Sequence, residues 1–265
     1  ALFSIIAHAP QEAKIDDSLL HKNISSLSMN LFFSGRPYES GCSPFPPINK
    51  FSSLSSLKIN FNYFDIENIE DVFINNNLFL LPIKNGKYVI VKGEGYVDIP
   101  DITTPPKTYN SKLDYKLETS EIGNSEMQHL DFAYASSLIR TFMNDDSLVL
   151  TIRGRKYTPS FSFKVGKQLI ETQSVQTEVD GGYEGRKKIV LIEAKNSKTS
   201  NTIIRQLFYP YKQWKTYTQK NDYLLFFERR KEIFYIWQYG FTDENNYNSI
   251  KLIKSERYLI DGPNV

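Results

Sequence analysis

The chain has 265 residues, which fits one large domain or a catalytic domain with a smaller neighbour. Hydrophobic residues at 40% and aromatics at 14% are ample for a folded core, and 32 basic against 30 acidic residues give a net charge that by itself announces no nucleic-acid partner. The single cysteine, Cys42, excludes a disulfide framework within the chain and a thiolate zinc centre, and the scattered His8, His21 and His129 read as surface or partly buried side chains.

In chain order, the opening ALFSIIAHAP is apolar but short and lacks a basic leader, so it is not read as a signal peptide. No run approaches the ~20 apolar residues of a membrane span, and a soluble cytoplasmic protein is expected. Residues 23–57 are rich in Ser, Pro, Gly and Asn and read as loop-heavy. A short helix is predicted over 67–76. Two apolar strands then flank Asn85-Gly86, a dipeptide that supplies the positive φ angles of a tight hairpin. Residues 99–112, IPDITTPPKTYNSK, carry three prolines and mark a candidate boundary between an N-terminal region, 1–110, and the remainder, 111–265. Residues 1–110 hold 9 basic and 11 acidic residues against 23 and 19 beyond, so the basic excess is C-terminal. KGEGYVD, 92–98, lacks the spacing of a phosphate loop.

Beyond that boundary, SEMQHLDFAYASSLIRTFM, 125–143, predicts one helix capped by Ser125. Strands are predicted near 148–153, 160–165, 170–180 and 189–195. A helix follows over 200–217, broken or kinked at Pro210, and then strands at 223–227 and 233–239. The expectation is an α/β (α+β) core with a central mixed β-sheet flanked by helices.

The stretch TEVDGGYEGRKKIVLIEAKN, 177–196, carries the chemistry. An apolar strand, Ile189 to Ile192, runs into Glu193-Ala194-Lys195, and strand alternation puts Glu193 and Lys195 on one face. The same parity groups Gln176, Glu178 and Asp180. Gly181-Gly182 is expected to turn the chain so that the two strands lie side by side and Asp180 meets Glu193. Paired anions resist joint ionisation unless a cation sits between them, and a hard ion such as Mg²⁺ resolves that conflict while favouring phosphate oxygens. A neighbouring lysine orients water and stabilises developing negative charge. Those parts make a phosphodiester hydrolysis site. Glu178 is a candidate supporting group or further metal ligand. Other acid-x-Lys triplets serve as controls: Glu12-Ala13-Lys14 follows no strand, and Asp114-Tyr115-Lys116 follows the polar KTYNSKL.

The set Asp180, Glu193-Ala194-Lys195 and a following helix resembles the PD-(D/E)xK nuclease superfamily over residues 125–228; Val179 stands where a proline usually precedes the first acid. The resemblance implies a restriction-endonuclease-like core, in which Asp180 and Glu193 hold Mg²⁺ and Lys195 positions the attacking water. It also implies in-line hydrolysis leaving a 5′-phosphate and a 3′-hydroxyl. Relatives often carry a Gln and a Tyr on the following helix. Here Gln206, Tyr209 and Gln213 share a face, and Gln206 is a candidate for supporting the site or touching DNA. Residues 151–170 hold five basic residues and no acid, interleaved with aromatics, so Arg153, Arg155 and Lys156 are candidate DNA contacts. Lys212, Lys215, Arg229, Arg230 and Lys231 form a second basic set.

The size and the absence of NTPase motifs are most similar to a type II restriction endonuclease. Such an enzyme acts on double-stranded DNA, is expected to be a homodimer on symmetric targets, and has a methyltransferase as genetic companion. Residues 1–110 would serve recognition or dimerisation. Two alternatives stay open: another nuclease of the superfamily (repair, resolvase or transposon type), or a non-catalytic DNA-binding protein on the same scaffold.

Overall fold

The computed structural model describes residue 73, residues 75–261 and the backbone of three short strands nearer the N-terminus. The strands are β1 (Ser4–Ala7), β2 (Leu31–Phe33), β3 (Lys58–Ile59), β4 (Leu78–Lys84), β5 (Lys87–Lys92), β6 (Tyr96–Asp98), β7 (Lys107–Asn110), β8 (Val149–Tyr157), β9 (Phe161–Val165), β10 (Gln168–Thr172), β11 (Gln176–Glu184), β12 (Lys188–Lys195), β13 (Asn201–Ile203), β14 (Asn221–Arg230), β15 (Ile233–Phe241) and β16 (Ile250–Asp261). The helices are α1 (Glu126–Ala135), α2 (Leu138–Met143) and α3 (Arg205–Lys215). Two compact units result. One comprises residues 1–96, 159–176 and 245–248, the other 97–158, 177–244 and 249–265.

In the first unit a sheet runs in the order β3-β1-β2-β5-β4. The predicted hairpin is present: β4 pairs antiparallel with β5 around Asn85-Gly86, and Gly86 takes φ +74°. A second hairpin, β9 with β10, also belongs to this unit. Tyr247, fully buried, stacks on Phe79 and Phe163 with ring centroids 5.7 and 5.8 Å away, and so fills the interior of the unit. The helix predicted over 67–76 lies almost wholly outside the described residues.

The second unit is a mixed α+β layer structure on a seven-stranded sheet ordered β7-β16-β15-β14-β12-β11-β8. The sheet is antiparallel at β11/β12 and β14/β15 but parallel at β12/β14, where α3 makes the crossover. Val190, Ile192 and Ala194 of β12 join Leu225 and Phe227 of β14 in one core with α1 and α2. Alternation sends Glu193 and Lys195 to the other face, where Gln206 of α3 reaches Glu193. Among the described residues no helix is long and apolar enough to cross a membrane.

Several expectations need correction. The helix over 125–143 is two helices, because Ser137 adopts φ +68° and Ser136 bonds back to the Ala133 carbonyl through its hydroxyl at 3.1 Å. The Ser125 cap does form, accepting the Gln128 N–H at 3.1 Å. Gly181-Gly182 is not a turn. Both glycines lie inside β11, and the chain reverses after Glu184. A Cβ on Gly181 would sit 2.7 Å from a Leu130 methyl, and one on Gly182 would sit 2.5 Å from the Ile152 Cβ. The pair is needed for close packing of α1 and β8 against the strand. The helix expected from 200 begins only at Arg205, after the short strand β13, and Pro210 is carried within it. The 12-residue strand β16 went unpredicted.

Candidate active site

Asp180 lies near the middle of β11, and Glu193 and Lys195 close β12. The ladder pairs Gly182 with Leu191 and Gly181 with Ile192, so one further step in that register sets Asp180 opposite Glu193. The backbone locks this meeting: the Ala194 N–H donates to Asp180 Oδ2 at 2.8 Å. Glu193 is 6% exposed. Its Oε1 accepts from Lys195 Nζ and, at 2.5 Å, from Gln206 Nε2. Lys195 also donates to the Ala194 carbonyl at 3.0 Å. Thr202 Oγ1 donates to Gln206 Oε1 at 3.0 Å, which fixes the amide so that its NH₂ faces Glu193. The three residues that strand parity selected are therefore together, with Gln206 of α3 beside them.

The buried strand can end in opposite charges because each charge has a partner. Burial nonetheless raises the Glu193 carboxyl to about 7; Asp180 adds to that shift and Lys195 opposes it. Asp180 is also raised, first by burial, against the pull of Lys195 and the Ala194 N–H. Burial alone would depress Lys195, but Glu193, Glu126 and Asp180 outweigh it and hold the ammonium above its ordinary value. Two carboxylates thus face one lysine in a site where full ionisation is disfavoured. Among the described residues no group of three His, Cys, Asp or Glu side chains converges to hold a metal ion. Two carboxylates still fit Mg²⁺, which keeps several of its waters and takes the rest of its ligands from a phosphate-bearing substrate.

The structure adds one residue that the sequence reading passed over. Glu126 opens α1, is half-buried, and lies close enough to raise both Glu193 and Lys195. Its signal in the sequence, an acid just after a serine cap, looks the same as ordinary helix-dipole compensation.

Two of the other candidates flank the site: Glu178 and Arg153 lie close enough to act on Asp180, the first raising its carboxyl and the second lowering it. Glu178 is exposed and pairs with Arg155 Nε at 3.2 Å. Arg153 forks onto both carboxylate oxygens of Asp131, with Nη1 at 3.1 Å. Lys156 stands 6.0 Å from the centre of the Trp214 ring. Gln213 is buried against Thr177, whose hydroxyl donates to it at 2.7 Å, and Tyr209 is fully buried. Arg230 turns to Glu228 and Asp101, while Lys215 pairs with Glu244 at 3.3 Å. Of the control triplets, Asp114 sits in an exposed irregular segment and Glu12 lies outside the described residues. Arg205, first in α3, is 6% exposed, and its Nε has no hydrogen-bond partner among the described residues.

No curated protein and no solved structure significantly matches this chain. Residues 91–259, which include every residue of the candidate site, match the family described as a domain of unknown function, DUF6997, and the chain belongs to that family.

Proposed function

We propose that the protein is a Mg²⁺-dependent DNA endonuclease with a PD-(D/E)xK centre on a restriction-endonuclease-like core. The observation that carries this reading is the meeting of Asp180, Glu193 and Lys195 on one face at the end of β12. Its support from topology is the order α1, β8, β11, β12, α3, β14, interrupted by α2, by β9 and β10 of the first unit and by the short β13, with β14 parallel to β12; without these insertions it follows the α-β-β-β-α-β order expected of such a core.

Asp180 and Glu193 would hold the ion, and bound there it would neutralise phosphate charge and acidify a water. Gln206 keeps Glu193 aimed at the site, and its NH₂ competes with Lys195 for the same oxygen. Lys195, cationic at neutral pH, orients the attacking water and faces the charge that builds on the phosphorus oxygens. In the hydrolysis a P–O bond to water forms and the P–O3′ bond breaks. The 3′ oxygen takes up a proton, leaving a 5′-phosphate and a 3′-hydroxyl. The form of this activity we infer is that of a type II restriction enzyme, with a homodimer on a symmetric duplex target and a companion methyltransferase.

Digestion of a defined plasmid in Mg²⁺ and in EDTA, followed by sequencing of the ends, tests the reading. Cutting in Mg²⁺ alone, at one short duplex sequence, is expected. Asp180→Ala, Glu193→Ala and Lys195→Ala should each lower the rate by roughly a hundredfold or more while the fold survives. Asp114→Ala and Glu12→Ala should cut like the wild type. Activity that is lost in the second group but kept in the first would transfer the site to another triplet.

A further inference from the structure

A cavity of about 490 Å³ opens beside the ends of β12 and β14, against α1. Its lining includes Asn124, His129, Asn196, Arg229, Lys231 and Phe234. Asn196 is the residue after Lys195, and Asn124 lies two residues before Glu126, so the lining adjoins two residues of the candidate active site along the chain.

The wall of this cavity is built from buried polar contacts. His129 is 5% exposed, and its Nε2 lies 2.7 Å from Asn124 Oδ1, an acceptor, so the ring proton is on Nε2. Nδ1 is then free to accept from Arg229 Nη1 at 3.1 Å. Burial and the neighbouring Arg229 both hold the ring below its ordinary pKa, in keeping with a neutral imidazole. Arg229 is further fixed by a bond from Nε to the Lys231 carbonyl at 2.9 Å, and by the Phe234 ring, 5.3 Å from its guanidinium carbon. Glu232, mostly exposed, stands 3.6 Å from Arg229 as the opposing charge on the rim.

Three polar groups of the lining remain without a partner among the described residues: the Asn124 side-chain NH₂, the Asn196 side-chain oxygen and the Lys231 ammonium. The two amides are neighbours, because Asn196 Nδ2 donates to the Asn124 carbonyl at 3.1 Å. A donor beside an acceptor is the complement of a nucleobase edge, and an ammonium is the complement of a phosphate. The volume far exceeds what a lone phosphate fills and falls within the roughly 300–1,000 Å³ of small-ligand sites.

We propose that this cavity is a subsite for one unpaired nucleotide of the DNA strand entering the catalytic centre. Its base edge lies on Asn124 and Asn196, and its phosphate on Lys231 and Arg229. The nucleotide must be unpaired, because a base held in a duplex stack cannot enter a cavity walled by α1 and the ends of β12 and β14. The assignment rests on the nuclease reading for its substrate, but its test needs no cleavage.

The test is fluorescence anisotropy with the full chain in EDTA on three labelled duplexes: fully paired, with one extrahelical nucleotide, and with an abasic residue in its place. The extrahelical duplex should bind roughly tenfold more tightly than the paired one, and the abasic duplex should lose that preference. Asn196→Ala and Lys231→Gln, both at exposed positions, should each remove most of the preference while circular dichroism and melting stay unchanged. Equal affinity for the three duplexes would overturn the proposal, as would a preference that survives both substitutions. An abasic duplex bound as tightly as the extrahelical one would overturn it too, by reducing the cavity to a phosphate contact. Plasmid cutting without the preference would sink this subsite and leave the nuclease reading standing. The preference without cutting would do the reverse, and no DNA binding in EDTA would overturn the subsite while the plasmid digestion still decided the nuclease reading.

Discussion

Glu193 concentrates the physics of the molecule in one side chain. Folding moves its carboxyl from 4.5 to about 7, so between those values the folded state binds more protons than the unfolded one. Its contribution to stability is therefore most favourable below about 4.5 and declines as pH rises through about 7. Glu193→Gln abolishes that titration. Relative to wild type, the variant should gain on the order of 3 kcal/mol between pH 4.5 and 8, seen in urea melts at the two pH values. A difference that does not change with pH would contradict the burial argument. On the proposed Mg²⁺ site the same titration would govern metal loading. At pH 6 the carboxyl must shed its proton to become a ligand, so Mg²⁺ affinity should rise with pH up to about 7 and then level off. Calorimetric titration in buffers of different ionisation enthalpy measures both the affinity and the proton released; no proton release at pH 6 would exclude Glu193 as a ligand. The acid-alanine-lysine order and its parity were legible in the sequence. The partners Gln206 and Glu126 were less so, because a helix residue's reach depends on where its helix docks.

Among the elements, β11 shows how one sequence signal serves two purposes. A glycine pair before a charged turn reads as the turn itself, yet here it lies within the strand so that Leu130 and Ile152 can approach the backbone. Gly182→Ala would place its Cβ 2.5 Å from the Ile152 Cβ, a backbone-near atom with little room to yield. We expect a loss of about 1–3 kcal/mol in chemical denaturation, partly recovered relative to additivity in the Gly182→Ala/Ile152→Gly double variant, which removes the clashing Cβ. Full additivity of the two substitutions would show that the contact is not the cause. The break between α1 and α2 was hidden for a related reason. The apolar spacing over 125–143 continues through the serines, and only the left-handed Ser137 interrupts the backbone. The basic run 151–170 met a different fate. Its charges were plain, but Arg153 and Arg155 spend them on Asp131 and Glu178, acids 22 and 23 residues away in sequence.

For the molecule as a whole, the sheet order sets what is rigid. In the second unit β12 and β14 lie inside the seven strands, while β7 and β8 form the edges. Amide exchange should accordingly be slowest in β12 and β14 and fastest in β7 and β8, measured by mass spectrometry on peptic peptides. Fast exchange in β12 would mean that the strand carrying Glu193 and Lys195 is no fixed platform. The sequence by itself determined the hairpin at Asn85-Gly86, the mixed α+β character and the trio Asp180, Glu193 and Lys195. These follow from dihedral preference, hydrophobic period and strand alternation, all of which act over a few residues. The tertiary structure decided which strands became neighbours, that segments 159–176 and 245–248 return to the first unit, and which arginines are already paired. It also decided that Asn124 and Asn196, 72 residues apart, would share one cavity wall. Contacts between distant segments depend on how layers pack and close loops, and no local spacing along the chain encodes that.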